Sequence, residues 1–288
     1  MNKKWVYLFV LAIIWGSSFI LIKKGLLGFT AYQLGALRVL LSALFVFIAG
    51  FPTLKTIKKE NYKWIVITGF IGTFFPVFLF AVAETEIDSA VASILNSLVP
   101  LNTILLGFAV FKIASTKRQI LGVIIGFIGT SILIGAGAKL NPHQNYLYAG
   151  FVILSTVMYA ANVNIIKKHL QDVSALAITA GNFASIVIPA FIVLIFSGFF
   201  NEVTFQNPEF KMSMLYIVLL SLFGTALAKV LFNKLVQIAT PVFASSVTYL
   251  MPVVAVGWGL LDGEGFNSIQ ALATVFILLG VYLANRRK

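Results

Sequence analysis

Cysteine is absent from the 288 residues, so disulfides, thiol catalysis and cysteine metal sites are excluded. Charge is scarce: Asp, Glu, Lys and Arg make up 10% of the chain. A soluble domain carries about a quarter. A soluble enzyme or a nucleic-acid binder would leave its surface too bare of charge. Acids are scarcer still, 9 against 21 bases, and the two histidines, His143 and His169, fall in loops. What is abundant is apolar surface. Hydrophobic residues make up 60% of the chain and the mean hydropathy is +0.99. That composition also excludes disorder. It leaves an all-α polytopic membrane protein.

A spanning helix needs about 20 mostly apolar residues. The sequence predicts ten, at roughly 5–22, 32–50, 64–83, 90–110, 119–137, 148–166, 175–197, 213–234, 241–261 and 269–285. Loops between them are short, which leaves no room for a soluble domain. The apolar stretch after Lys3 and Lys4 runs to Ile22, too long for a signal-peptide core, and no small-residue cleavage pattern follows. Short termini without a transit sequence suit a bacterial cytoplasmic membrane.

Loop charge sets the expected orientation. With the N-terminus cytoplasmic, fifteen basic residues fall inside: Lys3, Lys4, Lys55, Lys58, Lys59, Lys63, Lys112, Lys117, Arg118, Lys167, Lys168, Lys234, Arg286, Arg287 and Lys288. Only Lys23, Lys24, Lys139 and Lys211 fall outside. Seven acids lie outside, among them Glu84, Glu86, Asp262 and Glu264; Glu60 and Asp172 lie inside. An even number of spans returns the C-terminus to the cytoplasm, in keeping with the positive-inside rule.

The chain repeats itself. Trp15–Lys24 (WGSSFILIKK) resembles Tyr159–Lys168 (YAANVNIIKK) at an offset of 144. Gly72-Thr73 matches Gly224-Thr225, Ala92-Ser93 matches Ala244-Ser245, and Pro100 matches Pro252, each at 152. The expected units are 1–140 and 145–288, five spans each. Five is odd, so the second copy is inverted, a recurrent transporter design.

A Trp-Gly-Ser-Ser-Phe motif in the first span, Arg38 early in the second, and five-plus-five spans resemble the drug/metabolite transporter superfamily, EamA type. The resemblance covers the whole chain. It implies a ten-helix inverted-repeat fold with a central cavity between helices 1, 3, 4 and 6, 8, 9. It places helices 5 and 10 at the periphery or at a dimer contact. Members move amino acids, other small metabolites or toxic compounds, often outward. The second repeat departs from the motif, with Tyr159-Ala-Ala-Asn in place of Trp-Gly-Ser-Ser.

Polar groups in hydrocarbon are costly, so each marks a candidate site. Trp15, Ser17 and Ser18 on the first span, and Tyr159 and Asn162 at the equivalent place, are candidate cavity residues; close packing around Gly16 is the competing role. Ser93, Ser97 and Pro100 share a helical face, with Asn96 beside it, and Ser245, Tyr249 and Pro252 repeat the spacing. Each proline frees the carbonyl four residues back, at Asn96 and Thr248, so Pro100 and Pro252 are candidate hinges. Arg38, about 9 Å into its span at 1.5 Å per residue, is suited to a carboxylate or to snorkelling. Thr225, Lys229, Asn233 and Gln237 recur every fourth residue as a polar stripe, expected to be a wet cavity wall or exit path.

No acid is expected deep in any span; Glu84 and Glu86 end the third at the outer face. The cavity is thus neutral to basic and fits neutral, zwitterionic or anionic small molecules. No intramembrane nucleophile with a base, paired acids or metal set appears, so neither an enzyme nor a cofactor is expected. Nor does the sequence suggest a nucleic-acid partner; lipid is the surroundings. Gly122 and Gly126 form a GxxxG pair that suits packing within the chain or in a homodimer. The expected function is a secondary transporter exporting small metabolites by alternating access. The alternative is a channel or a non-transporting scaffold subunit.

Overall fold

In hydrocarbon every backbone N–H and C=O must find its partner within the protein, and a helix does this within one segment. In the computed structural model, which describes residues 3–111, 116–140 and 143–285, every regular element is helical. Lys112, Arg286, Arg287 and Lys288 lie outside the described residues, so their share of the charge bias stays at the sequence level.

Eight segments are long and apolar enough to cross a membrane: Lys3–Gly25, Ala31–Thr56, Lys59–Ala83, Ser89–Val110, Tyr146–His169, Ala175–Phe196, Phe210–Ile238 and Pro241–Leu261. Local signals start several of them. Thr30 and Gln33 form a reciprocal capping box at Ala31, while Ser174 and Thr240 cap the helices that follow them. Two more helices, Lys117–Leu140 and Ser268–Asn285, carry shorter apolar cores and pack on each other.

Lipid tails are as apolar as leucine, so close packing rather than the hydrophobic effect joins such helices. A Cβ on Gly280 would fall 2.5 Å from the Gly122 carbonyl oxygen and 2.5 Å from the Gly126 nitrogen. The Gly122–Gly126 face is therefore filled within the chain. Gly16 makes a similar approach: a Cβ there would lie 2.6 Å from Val254 Cβ and 2.9 Å from the Met251 carbonyl oxygen.

Four segments depart from regular α-helix near mid-span. Phe70–Phe74 and Leu220–Leu227 are π-helical turns, and they contain the repeated Gly72-Thr73 and Gly224-Thr225 pairs. Ser89–Asn96 and Val99–Phe111 are separate helices joined at Ser97-Leu98, just before Pro100. Pro241–Ser245 passes through a 3₁₀ turn, Ser246–Tyr249, before Met251–Leu261, which carries Pro252 in its first turn. Proline in its first turn suits a helix because no N–H is needed there. Thr248, four residues before Pro252, offers its free carbonyl to Ser97 Oγ at 3.0 Å, so the two breaks are tied together.

Candidate functional site

Irregular backbone inside a membrane protein is tolerated where it is buried or lines a cavity. The four breaks surround one. Its lining comes from Trp15, Ser18, Phe19 and Ile22 on the first segment and Arg38 on the second. Gly72, Thr73, Val77 and Phe80 follow, then Asn96 and Val99. Tyr159, Asn162 and Val163, then Gly224, Thr225, Lys229 and Phe232, and finally Ser245, Thr248 and Met251 complete it. It has about 90 Å³ of room for water-sized spheres. One water needs about 10–15 Å³ on that measure, so several waters or one small metabolite fit.

Both π turns present backbone to the cavity. Lys229 Nζ donates to the Gly72 carbonyl at 2.8 Å, and Trp15 Nε1 donates to the Gly224 carbonyl at 2.9 Å. Arg38 Nε donates to Thr225 Oγ1 at 2.7 Å. Each half thus lends a Gly-Thr turn that holds a polar side chain of another helix. Arg38 and Lys229 are 9% and 6% exposed, and the cavity lining contains no carboxylate. Neither base makes an ion pair among the described residues. Three buried polar atoms in the lining, Thr73 Oγ1, Asn96 Oδ1 and Asn162 Oδ1, have no hydrogen-bond partner among the described residues. Such groups call for a ligand or water. Rings cover the rest: Trp15 lies 5.0 Å from Phe232, and Phe19, Phe80 and Tyr159 form a chain at 5.8 and 6.2 Å.

The EamA-like transporter family model matches the chain twice, over residues 3–135 and 147–286. The chain belongs to the EamA-like transporter family. It is a multi-pass membrane transporter, in a family of transporters rather than enzymes.

This EamA-like chain is 26% identical over 286 residues to "Uncharacterized inner membrane transporter YedA" of Escherichia coli K12, covering 98% of this chain and 90% of that one. It is 25% identical to the "Probable amino-acid metabolite efflux pump" of Salmonella typhimurium, covering 98% and 95%. A third relative, 24% identical, is the S-adenosylmethionine/S-adenosylhomocysteine transporter of Chlamydia muridarum, covering 96% and 89%. A crystal structure 15% identical in sequence covers 99% of this chain and 97% of its own at a TM-score of 0.71, a likeness of fold alone.

In this EamA-like transporter the cavity brings together Trp15, Ser18, Arg38, Asn96, Tyr159, Asn162 and Lys229 from the sequence candidates. Ser18 spends its hydroxyl on the Ile14 carbonyl at 2.9 Å. Ser17 and Tyr249 do not line it. Ser17 Oγ accepts from Trp258 Nε1 at 3.0 Å, and Tyr249 packs half-buried against the core. Pro100 and Pro252 are not among its lining residues and stand in the first turns of Val99–Phe111 and Met251–Leu261, at the breaks. The polar stripe splits: Thr225 and Lys229 face the cavity, while Asn233 donates to Thr179 Oγ1 and Gln237 to the Val173 carbonyl. Thr73, Phe80 and Phe232 are cavity residues that the sequence candidates omit, whereas Thr225 is the first residue of the expected stripe. The repeated Gly-Thr pair is a usable signal for Thr73; two rings among 27 phenylalanines carry none.

An ionic cluster, of residues that the sequence assigns to the outer face, joins the end of Lys3–Gly25, the start of Ser89–Asn96 and the loop after Met251–Leu261. Lys23 Nζ lies 2.9 Å from Asp262 and 2.9 Å from Glu264, and Lys24 pairs with Asp262. Glu264 also accepts from Ser89 N and Oγ and from Ala90 N, capping the start of helix Ser89–Asn96. Burial pushes the Asp262 carboxyl upward, but its bonds to Lys24 and Lys23 prevail and hold it below its ordinary value.

Proposed function

We propose that this EamA-like transporter exports small carboxylate-bearing metabolites, amino acids and their relatives, across the cytoplasmic membrane. The observation that carries this reading is the pair of buried bases, Arg38 and Lys229, in a cavity wall without an acid. Thr225 engages Arg38 through Nε, which leaves the fork of terminal nitrogens for a carboxylate. The unpartnered oxygens of Asn96 and Asn162 suit the ammonium group of a zwitterion. The aromatic chain suits an apolar side chain. The efflux-pump name of the Salmonella relative favours the outward direction.

The frame we infer is ten spans in two inverted repeats, 1–140 and 145–288, with both termini cytoplasmic. Support comes from the double family match, from the equivalent π turns and from the loop charges. Lys117–Leu140 and Ser268–Asn285 supply the fifth and tenth spans. In alternating access the Lys23–Asp262–Glu264 cluster closes the outer side, and the breaks at Pro100 and Pro252 absorb the rocking of one half on the other.

The test is counterflow in liposomes. Vesicles preloaded with an equimolar mixture of unlabelled L-amino acids should accumulate the labelled mixture transiently. A channel would equilibrate the label without overshoot. Absence of uptake for amino acids and for simple organic acids would contradict the carboxylate reading.

A further inference from the structure

Glu84 follows directly on helix Phe75–Ala83, and its backbone N–H still bonds the Phe80 carbonyl at 2.9 Å. The sequence places it at the outer-face end of the third span. The structure buries it: the residue is 7% exposed, and neither carboxyl oxygen has a hydrogen-bond partner among the described residues. A desolvated carboxylate without donors is much costlier than the neutral acid.

The groups around Glu84 lie on four other elements. Arg38 acts on it from Ala31–Gly50, with Tyr159 of Ala149–His169 acting on Arg38. Lys23 acts from the end of Lys3–Gly25, where Lys24 is its neighbour, and Glu264 acts from the loop it shares with Asp262. Glu86 and Asp88 share its own loop. Lys23 is already engaged by Asp262 and Glu264. Burial first, and then the Glu264 charge, raise the Glu84 carboxyl well above the usual carboxylate range, against the opposing pull of Arg38 and Lys23.

We propose that Glu84 is a transported-proton site, lying between the outer ionic cluster and Arg38, whose proton moves with the carboxylate substrate. This rests on the reading of Arg38 as the substrate's partner. The logic is linkage. A substrate carboxylate on Arg38 cancels the charge that favours ionised Glu84. A proton on Glu84 in turn removes a rival anion from Arg38, so proton and substrate bind cooperatively. Once the empty carrier has returned, water on the inner side supplies a proton to a Glu84 oxygen before the substrate arrives, so the resting carrier holds the neutral acid. Parting of the Lys23–Asp262–Glu264 cluster hydrates Glu84, and the proton passes to outer water. The empty carrier returns with ionised Glu84 in the substrate's place beside Arg38. The substrate's own gradient drives the outward step.

Two measurements decide it. The first needs no substrate. Infrared pH titration of the lipid-reconstituted protein should show the carbonyl band of a buried neutral acid persisting at pH values above the usual carboxylate range, and that band should be missing in Glu84→Gln. Its absence from the wild type overturns the proposal. The second uses liposomes loaded with the labelled L-amino acid mixture and a pH-sensitive dye. Efflux should make the interior more alkaline in the wild type, with at least tenfold fewer protons per labelled molecule in Glu84→Gln. Labelled efflux without proton movement overturns the proton site and leaves the transport reading standing. Absence of efflux from the wild type contradicts the transport reading and, with it, the proposed coupling. Should Glu84→Gln fail to fold, Glu84→Asp should move the midpoint of the infrared band, and an unmoved midpoint overturns the assignment.

Discussion

Arg38 and Lys229 are stabilised in the wall by a threonine hydroxyl and a backbone carbonyl rather than by acids. A hydrogen bond to a charged group is worth about 1.5–3 kcal/mol, so losing one at the substrate should weaken binding by about 10- to 100-fold. Arg38→Ala should show that loss for a carboxylate substrate, measured by half-saturation of counterflow. Arg38→Lys should recover only part of it, because an ammonium lacks the planar fork. Lys229→Met should act in the same direction, and unchanged half-saturation in both variants would remove the bases from the site. The sequence made these two residues conspicuous, because a charge in an apolar span needs a reason. It was less informative for hydroxyls. Ser17 and Ser18 are adjacent, yet one faces Trp258 and the other the cavity wall, and only the helix–helix register decides which. Glu84 reads as the outer end of the third span because it stands one position beyond an apolar run; its burial, at 7% exposed, is made by the fold and is not legible in the run.

At the scale of elements, the breaks and the close contacts divide the labour. Gly280 lies on Gly122 and Gly126, so Gly280→Val must push two helices apart. Overpacking of this kind costs about 1–3 kcal/mol. Thermal unfolding in detergent should register it as a lowered Tm, and an unchanged Tm would refute that contact. The outer cluster links the end of Lys3–Gly25, the start of Ser89–Asn96 and the loop after Met251–Leu261. Glu264→Gln should loosen it. The cysteine-free chain gives a direct assay: a cysteine at Thr73 should react faster with a membrane-impermeant thiol reagent from outside when Glu264→Gln is added. Asp262 is held below its ordinary pKa, so its share of the cluster is present above that ordinary value and is lost only as pH falls through the lowered one. Glu84 has the opposite sign. With its pKa raised, the form that buries it is favoured at low pH and weakens as pH rises above the usual carboxylate range. Labelling at Thr73→Cys, corrected for ionisation of the thiol itself, should therefore quicken as pH rises above the usual carboxylate range, and much less so with Glu84→Gln. The spans were legible from hydropathy because each is an unbroken apolar run. The π turns were not, since a π turn adds one residue to a helix without changing its composition. Only the repeated Gly-Thr pair hinted at them.

At the scale of the whole molecule, residues from both family-matched stretches line a small basic cavity. The family match runs through both, and the chain is covered almost end to end by relatives named as transporters. Composition alone placed the chain in a membrane, and repeat offsets near 150 residues marked the halves. The cavity itself lay beyond the sequence, because it is made by side chains far apart in the chain, such as Arg38 and Thr225 or Lys229 and Gly72. The central claim is that these side chains bind a carboxylate during transport. Counterflow of a labelled L-amino acid mixture into preloaded proteoliposomes, compared between wild type, Arg38→Ala and Lys229→Met, tests it most directly. The account predicts an overshoot in the wild type and at least a tenfold lower initial rate in each variant at subsaturating label. Equal rates in all three, or an overshoot confined to compounds that lack a carboxylate, would contradict it.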